Sequence, residues 1–162
     1  MERWCDLDFE WNGLRLRLAA SSAGVRRIEF HPGAPPSGDP DPGYPLLAEV
    51  ANQLRAYFAG SLKRFDLPLD LRGTDFQRRV WRYLETIPYG ETRSYRQVAD
   101  SIGASNAVRA VGAANGANPI PIVVPCHRVI GSGGSLVGYG GGLELKKQLL
   151  ALEGTRSLEL YE

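Results

Sequence analysis

Leu14, Leu16 and Leu18 alternate with Arg15 and Arg17, and past a turn at Gly24 come the apolar positions Val25, Ile28 and Phe30. A period of two predicts strands with one apolar face, so a small sheet is expected in the first third of the chain. Residues 31–45, HPGAPPSGDPDPGYP, are too rich in proline and glycine for a helix or a central strand, and they predict a mobile surface loop. Leu47, Val50, Leu54, Tyr57 and Phe58 then recur at helical spacing, with Gly60 as the stop signal. FDLPLDL at 65–71 alternates again, and Pro68 limits it to an edge strand or an extended connector.

A second unit opens at Thr74. Gln77 follows at capping-box spacing, ahead of Phe76, Val80, Tyr83, Leu84 and Ile87 on one helical face. PYGE at 88–91 is a turn; Ser94 can cap a short helix to Ser101 with Val98 and Ile102 inward. Gly103 supplies the next turn, and Ser105 or Asn106 can cap a second helix to about Asn115. Helix, glycine turn, helix is the outline of a helix-turn-helix, and equally of any two packed helices. The extended NPIPIVV, the Cys126–His127 step and the glycine-rich GSGGSLVGYGGG lead to a last helix over 143–153 with Leu145, Leu149 and Leu152 on one side, stopped by Gly154. The expected fold class is α/β (α+β). A small sheet-plus-helix domain over 1–73 carries the loop 31–45, and a mostly helical domain with the helix-turn-helix outline spans 74–162.

Composition narrows the setting. With 43% hydrophobic and 23% charged residues in 162, the chain can bury a core without staples. Its two cysteines, Cys5 and Cys126, make no disulfide framework and suit a reducing compartment, so a cytoplasmic location is expected. No signal segment opens the chain, and LRLRLAA is cut by arginines before it reaches membrane-spanning length. The net charge of +1, spread over two nearly neutral halves, means that affinity for nucleic acid must come from local patches. Arg78, Arg79 and Arg82 form one candidate patch, and Arg93, Arg96, Arg109 and Arg128 another, although a solvated face is the more common fate of surface arginine.

Candidate chemistry centres on Cys126. Thiolate is the best neutral-pH nucleophile among side chains, and an adjacent imidazole is the usual means of generating it. Neighbours on an extended strand face opposite ways, so Cys126 and His127 can cooperate only if the chain turns at Pro125, which we expect. By itself the pair also fits a small buried hydrophobe beside a hydrogen-bonded core histidine.

The surroundings add to this reading. FQRRVW, IPYGETRSY, RAVGAANGANPIPIVVPCHRVIG and GYGGGLELKKQLLALEG, in this order over residues 76–154, closely resemble the O6-alkylguanine-DNA alkyltransferases. The first 70 residues are compatible with that family's variable N-terminal α/β domain. The resemblance implies direct repair of double-stranded DNA: an alkyl group passes irreversibly from O6 of guanine to Cys126, once per molecule, with O4-alkylthymine a further candidate substrate. It implies His127 as the base acting through a water, Glu153 as the carboxylate orienting it, and Asn118 as the residue tying the NPIP turn to the active-site segment. Chemistry at a stacked base requires flipping it out. The resemblance makes Arg109 the finger filling the gap, and Tyr95 a backbone contact whose hydroxyl protonates the leaving guanine. It also implies DNA contacts at Ser94, Ala107, Ala110, Arg128 and Ser132, with a small-residue helix in the minor groove. Pro121, Val129, Tyr139, Gly140 and Gly141 would wall the guanine pocket.

No cofactor, no membrane and a monomer are implied. Some family members bind zinc in the N-terminal domain, but here Cys5 and His31 are the only soft ligands there, too few for a structural site, so no metal is expected. Ala117 departs from the basic or polar residue common in the family. Three readings compete. A lesion sensor without transfer would lack the cysteine that this chain has. A transcription regulator would need polar base-reading residues where the second helix offers alanine and valine. A cysteine hydrolase would need an oxyanion hole and would leave the helix pair unexplained.

Overall fold

The computed structural model describes residues 2–134 and 137–155, so Ser135 and Leu136 of the glycine-rich loop and the residues after 155 in the expected second domain lie outside the described residues. The chain divides into two compact units, with the break between Arg72 and Gly73.

In the first unit, β1 (Arg3–Asp8), β2 (Arg15–Ser21) and β3 (Gly24–Phe30) form an antiparallel sheet in chain order. Alternation correctly marks Leu16 and Leu18, both fully buried. The arginine between them behaves differently. Arg17 is only 6% exposed, because its Nε and Nη2 donate to the two oxygens of Asp6 at 2.7 and 3.0 Å and its terminal nitrogens donate to the carbonyls of Gly33 and Ala34. The proline-rich loop expected to be mobile is thus fastened to the sheet. The Asp41 N–H donates to the Trp4 carbonyl at 2.8 Å, and Arg3 pairs with Asp41. β1 carries no period-two signal because consecutive residues Trp4 and Cys5 are both buried.

Helix α1 (Pro45–Phe58) starts on its proline and turns Leu47, Val50, Ala51, Leu54, Tyr57 and Phe58 inward. It stops before Gly60, whose φ of +80° suits glycine. The 65–71 segment is an extended connector that pairs briefly with β3: Val25 N–H donates to Pro68 O, and Asp70 N–H to Val25 O, both at 2.8 Å. A Cβ at Gly24 would lie 2.7 Å from Pro68 O, so this approach needs glycine.

In the second unit, α2 (Asp75–Leu84) begins with the full capping box between Thr74 and Gln77. α3 (Tyr95–Ser101) begins with an identical one between Ser94 and Gln97. Gly103, at φ +72°, turns the chain toward α4 (Val108–Gly116). Neither Ser105 nor Asn106 caps α4. Ala107 occupies the N-cap without a side-chain bond, because its N–H closes a turn onto Ala104 O and places both polar residues before the helix start. α4 packs against α2 and α3, and the buried Trp81 of α2 donates its indole N–H to Ala114 O at 2.8 Å.

Two short strands, β4 (Arg93–Ser94) and β5 (Val129–Ile130), pair in parallel. This pairing sets the start of α3 beside the Cys-His segment. Helix α5 (Leu143–Leu152) ends at Glu153, and Gly154 follows at φ +71°. Its buried face is Leu145, Lys146, Leu149 and Leu150, rather than the Leu145, Leu149 and Leu152 that leucine spacing predicts. Leu152 is only half-buried, while Lys146 is wholly enclosed.

Candidate active site

Pro125, at φ −81° and ψ 66°, turns the chain out of the NPIPIVV segment into a single 3-10 turn, Cys126–Arg128. Three consecutive buried side chains can therefore serve one site, which an extended strand would forbid. The segment before it is held by Asn118. Its amide donates to Val124 O at 2.8 Å, and its carbonyl oxygen accepts the Ile120 N–H at 3.0 Å. Between these anchors Ile122 takes a φ of +74°, a conformation branched residues rarely adopt, and its side chain is buried.

His127 is wholly buried, and its Nε2 lies 2.8 Å from Glu153 Oε2. Burial disfavours ionisation of Glu153. Contact with His127 and the hydrogen bonds from His127 and Arg128 outweigh it, leaving the carboxyl well below the usual carboxylate range. An ionised carboxylate only accepts, so Nε2 carries the ring proton. Burial pushes the imidazole below its ordinary value despite the pull of Glu153, so the ring is neutral near pH 7. Its Nδ1 is buried with no protein partner, leaving a lone pair available as a base.

Cys126 is 5% exposed. Burial pushes its thiol up to about 11, against the opposing effects of the Asn118 side chain, the Lys146 charge and the Tyr139 hydroxyl. Only on the order of 10⁻⁴ of such a thiol is ionised at pH 7, so the free protein holds a dormant nucleophile. Without DNA, iodoacetamide should label Cys126 about 10²-fold more slowly at pH 7 than it labels an ordinary thiol, and labelling should accelerate about tenfold per pH unit up to pH 10. Peptide mapping against pH checks this, and a plateau near neutral pH would show the thiol already activated.

The other expected residues fall into three groups. Asn118, Tyr95 and Tyr139 gather at the thiol: half-buried Tyr95 has its hydroxyl pKa raised by burial and by Cys126, and Tyr139 opens the turn into α5. Pro121 is buried, and Gly140 and Gly141 lie in the turn before α5. Arg109 and Ala110 are exposed on α4 with Ala113, Gly116 and Ala117, and Ser132 is exposed in the 131–134 turn; Ser94 and Ala107 are half-buried. Of the remaining patch arginines, Arg78 pairs with Asp75, Arg79 donates to the Ile102 carbonyl, Arg93 pairs with Glu91, and Arg82 and Arg96 are exposed.

One expectation is corrected. Arg128 cannot reach DNA from its position. It is 7% exposed and its nitrogens are engaged inside, Nε and Nη2 with Glu153 at 2.7 and 2.9 Å and Nη1 with Ile87 O at 2.7 Å. Val129 is wholly buried in β5, directly after the Cys126–Arg128 turn, and its carbonyl accepts Lys146 Nζ at 2.7 Å.

Lys146 is the residue that leucine spacing misses. Its Nζ also donates to Val137 O at 2.9 Å and Gly138 O at 3.5 Å, tying the glycine-rich loop to β5. Burial lowers its pKa to about 8, partly opposed by Cys126. The available signal was its spacing, three and four residues before the buried Leu149 and Leu150.

Fold and site together define a cysteine-nucleophile protein, in which a buried thiol is followed in the chain by a neutral imidazole paired with an ionised carboxylate, beside a pair of short helices. The chain belongs to the 6-O-methylguanine DNA methyltransferase family. Residues 75–155 match that family's DNA binding domain and residues 6–71 its ribonuclease-like domain. The methylated-DNA–protein-cysteine methyltransferase of Mycobacterium tuberculosis H37Rv is 64% identical over 118 residues, covering 73% of this chain and 70% of that protein. The Methanosarcina acetivorans protein of the same description is 49% identical over 141 residues, covering 85% and 90%. The crystal structure of Mycobacterium tuberculosis OGT in complex with DNA superposes with a TM-score of 0.86 at 49% identity, over 99% of both chains.

Proposed function

We propose that this protein repairs alkylated DNA directly, with Cys126 as the final acceptor. The Cys126 sulfur attacks the alkyl carbon on O6 of guanine; the S–C bond forms as the C–O bond breaks, and guanine leaves with the electron pair. His127 takes the thiol proton at Nδ1 through an intervening water, and Glu153 balances the imidazolium that results. Tyr95 supplies the proton that the leaving guanine needs. The thioether is stable to water, so each molecule acts once.

The observation that carries this reading is the state of the three groups at the Pro125 turn. A protonated thiol, a neutral base and a carboxylate are a resting nucleophile awaiting its substrate. On α4, exposed Arg109 stands among small exposed residues, which let a helix approach a groove closely while the guanidinium enters the base stack. Double-stranded DNA, entered from the minor groove by a monomer, is the partner this surface suits. With no described helix long and apolar enough to cross a membrane, a cytoplasmic site of action fits.

Intact-protein mass measurement after mixing with a duplex carrying one O6-methylguanine tests the reading. The expected result is one methyl per chain, on the Cys126 peptide and absent from Cys126→Ala. An unchanged mass with preferential binding of the damaged duplex would make the chain a lesion sensor instead.

A further inference from the structure

Arg128 lies outside the transfer steps above, yet it touches the group on which the base depends. Glu153 Oε2 accepts from both His127 Nε2 and Arg128 Nη2, and Oε1 accepts from Arg128 Nε. The remaining terminal nitrogen, Nη1, is anchored on Ile87 O, immediately before the PYG turn. That turn closes on the guanidinium from the other side. The Tyr89 ring lies 5.8 Å from it, and the Tyr89 hydroxyl donates to Leu152 O at 3.2 Å. At Gly90 a Cβ would sit 3.2 Å from Glu153 O, so the turn abuts the end of α5 directly. A planar guanidinium gripping both oxygens of a carboxylate leaves it one orientation.

We propose that Arg128 is a positioning residue that sets the charge and tautomer of His127 through Glu153, making the site a four-membered line of Cys126, His127, Glu153 and Arg128. Left alone with His127, a buried carboxylate would bind the imidazolium and leave it no lone pair for the thiol proton. The guanidinium neutralises that carboxylate and opposes a second cation beside it. Among the described residues, the charges acting on His127 are those of Glu153, Arg128 and Lys146, with the Cys126 thiol adjacent in the same turn, and the two cations both favour the neutral ring. Glu153 therefore accepts the Nε2 proton without drawing a second proton onto the ring.

The consequence for catalysis rests on the reading of Cys126 as alkyl acceptor, but the state of the imidazole is measurable without DNA. The chain has two histidines, and the exposed His31 gives one further imidazole signal to be told apart from that of buried His127. Long-range proton–nitrogen NMR of the wild type should show His127 neutral and protonated at Nε2 at pH 7. In Arg128→Gln its titration midpoint should rise by one pH unit or more, and the acid limb of methyl transfer should rise with it. Arg128→Lys, which keeps the charge but loses the fork, should fall between. It also decides the matter if the glutamine variant does not fold. A wild-type His127 that is cationic at pH 7 or protonated at Nδ1, or a folded variant titrating as the wild type does, overturns the proposal. A normal imidazole response in a protein that transfers no methyl would overturn the functional reading alone.

Discussion

Glu153→Gln is expected to lower the thermal midpoint by roughly 10 °C and to slow methyl transfer by about 10²-fold or more. The carboxylate is buried at 4% exposure and is the only charge among the described residues that compensates Arg128. An amide cannot match three donors, because its own NH₂ must face either the guanidinium or the imidazole. Removing one partner of a buried pair leaves the other uncompensated, at a cost of about 3–5 kcal/mol. In a chain of this length each kcal/mol moves the midpoint by about 2–4 °C. The kinetic loss has a separate origin: without the anion, neither the Nε2 tautomer nor the imidazolium is favoured. Thermal melts and single-turnover transfer assays measure the two effects. A midpoint within roughly 2 °C of the wild type would mean that solvent already satisfies Arg128.

Lys146→Met should slow transfer about tenfold or more and change the pH dependence of stability. The Lys146 charge acts to lower the thiol pKa, and its three carbonyl contacts hold the loop carrying Tyr139. Methionine fills comparable space and supplies neither effect. The sign of the stability change follows from linkage. Lys146 has its folded pKa lowered from 10.5 to about 8. Below pH 8 it is charged in both states and its burial cost is fully present. Between about 8 and 10.5 the native state has lost a proton that the unfolded chain still holds, so stability rises with pH. The rise should be about 1 kcal/mol between pH 7 and 9. Cys126, raised from 9.0 to about 11, acts oppositely, and its stabilising effect fades from pH 9 upward. Denaturant melts of the methionine variant should show only that decline. If its profile still rises from pH 7 to 9, Lys146 is not the group responsible.

The parts of the structure legible in the chain are those whose cause lies within a few residues. Thr74 with Gln77 and Ser94 with Gln97 form their capping boxes because both partners sit within one turn. Gly60, Gly103 and Gly154 end elements where the backbone needs a positive φ. Pro125 bends the chain at the position the chemistry requires. Ser105 and Asn106 have the right residue types for a cap, but a competing turn at Ala104 shifts the helix start past them. Arg17, Arg128 and Lys146 were illegible for a different reason. A long cationic side chain is ordinarily solvated, and what buries each one comes from far along the chain: Asp6 and the 33–34 carbonyls, Glu153 with Ile87 O, and the carbonyls of Val129, Val137 and Gly138.

By itself the sequence carried the order of the five helices and of β2 and β3, and the Cys126–His127 step on which the proposed chemistry rests, because periodicity, caps and that step are properties of contiguous residues; β1, β4 and β5 left no such local signal. Only the tertiary structure decided the protonation states on which the chemistry turns. Burial of Cys126 and His127 and the ionisation of Glu153 depend on desolvation and on charges brought together across the second unit, and neither follows from local residue pattern.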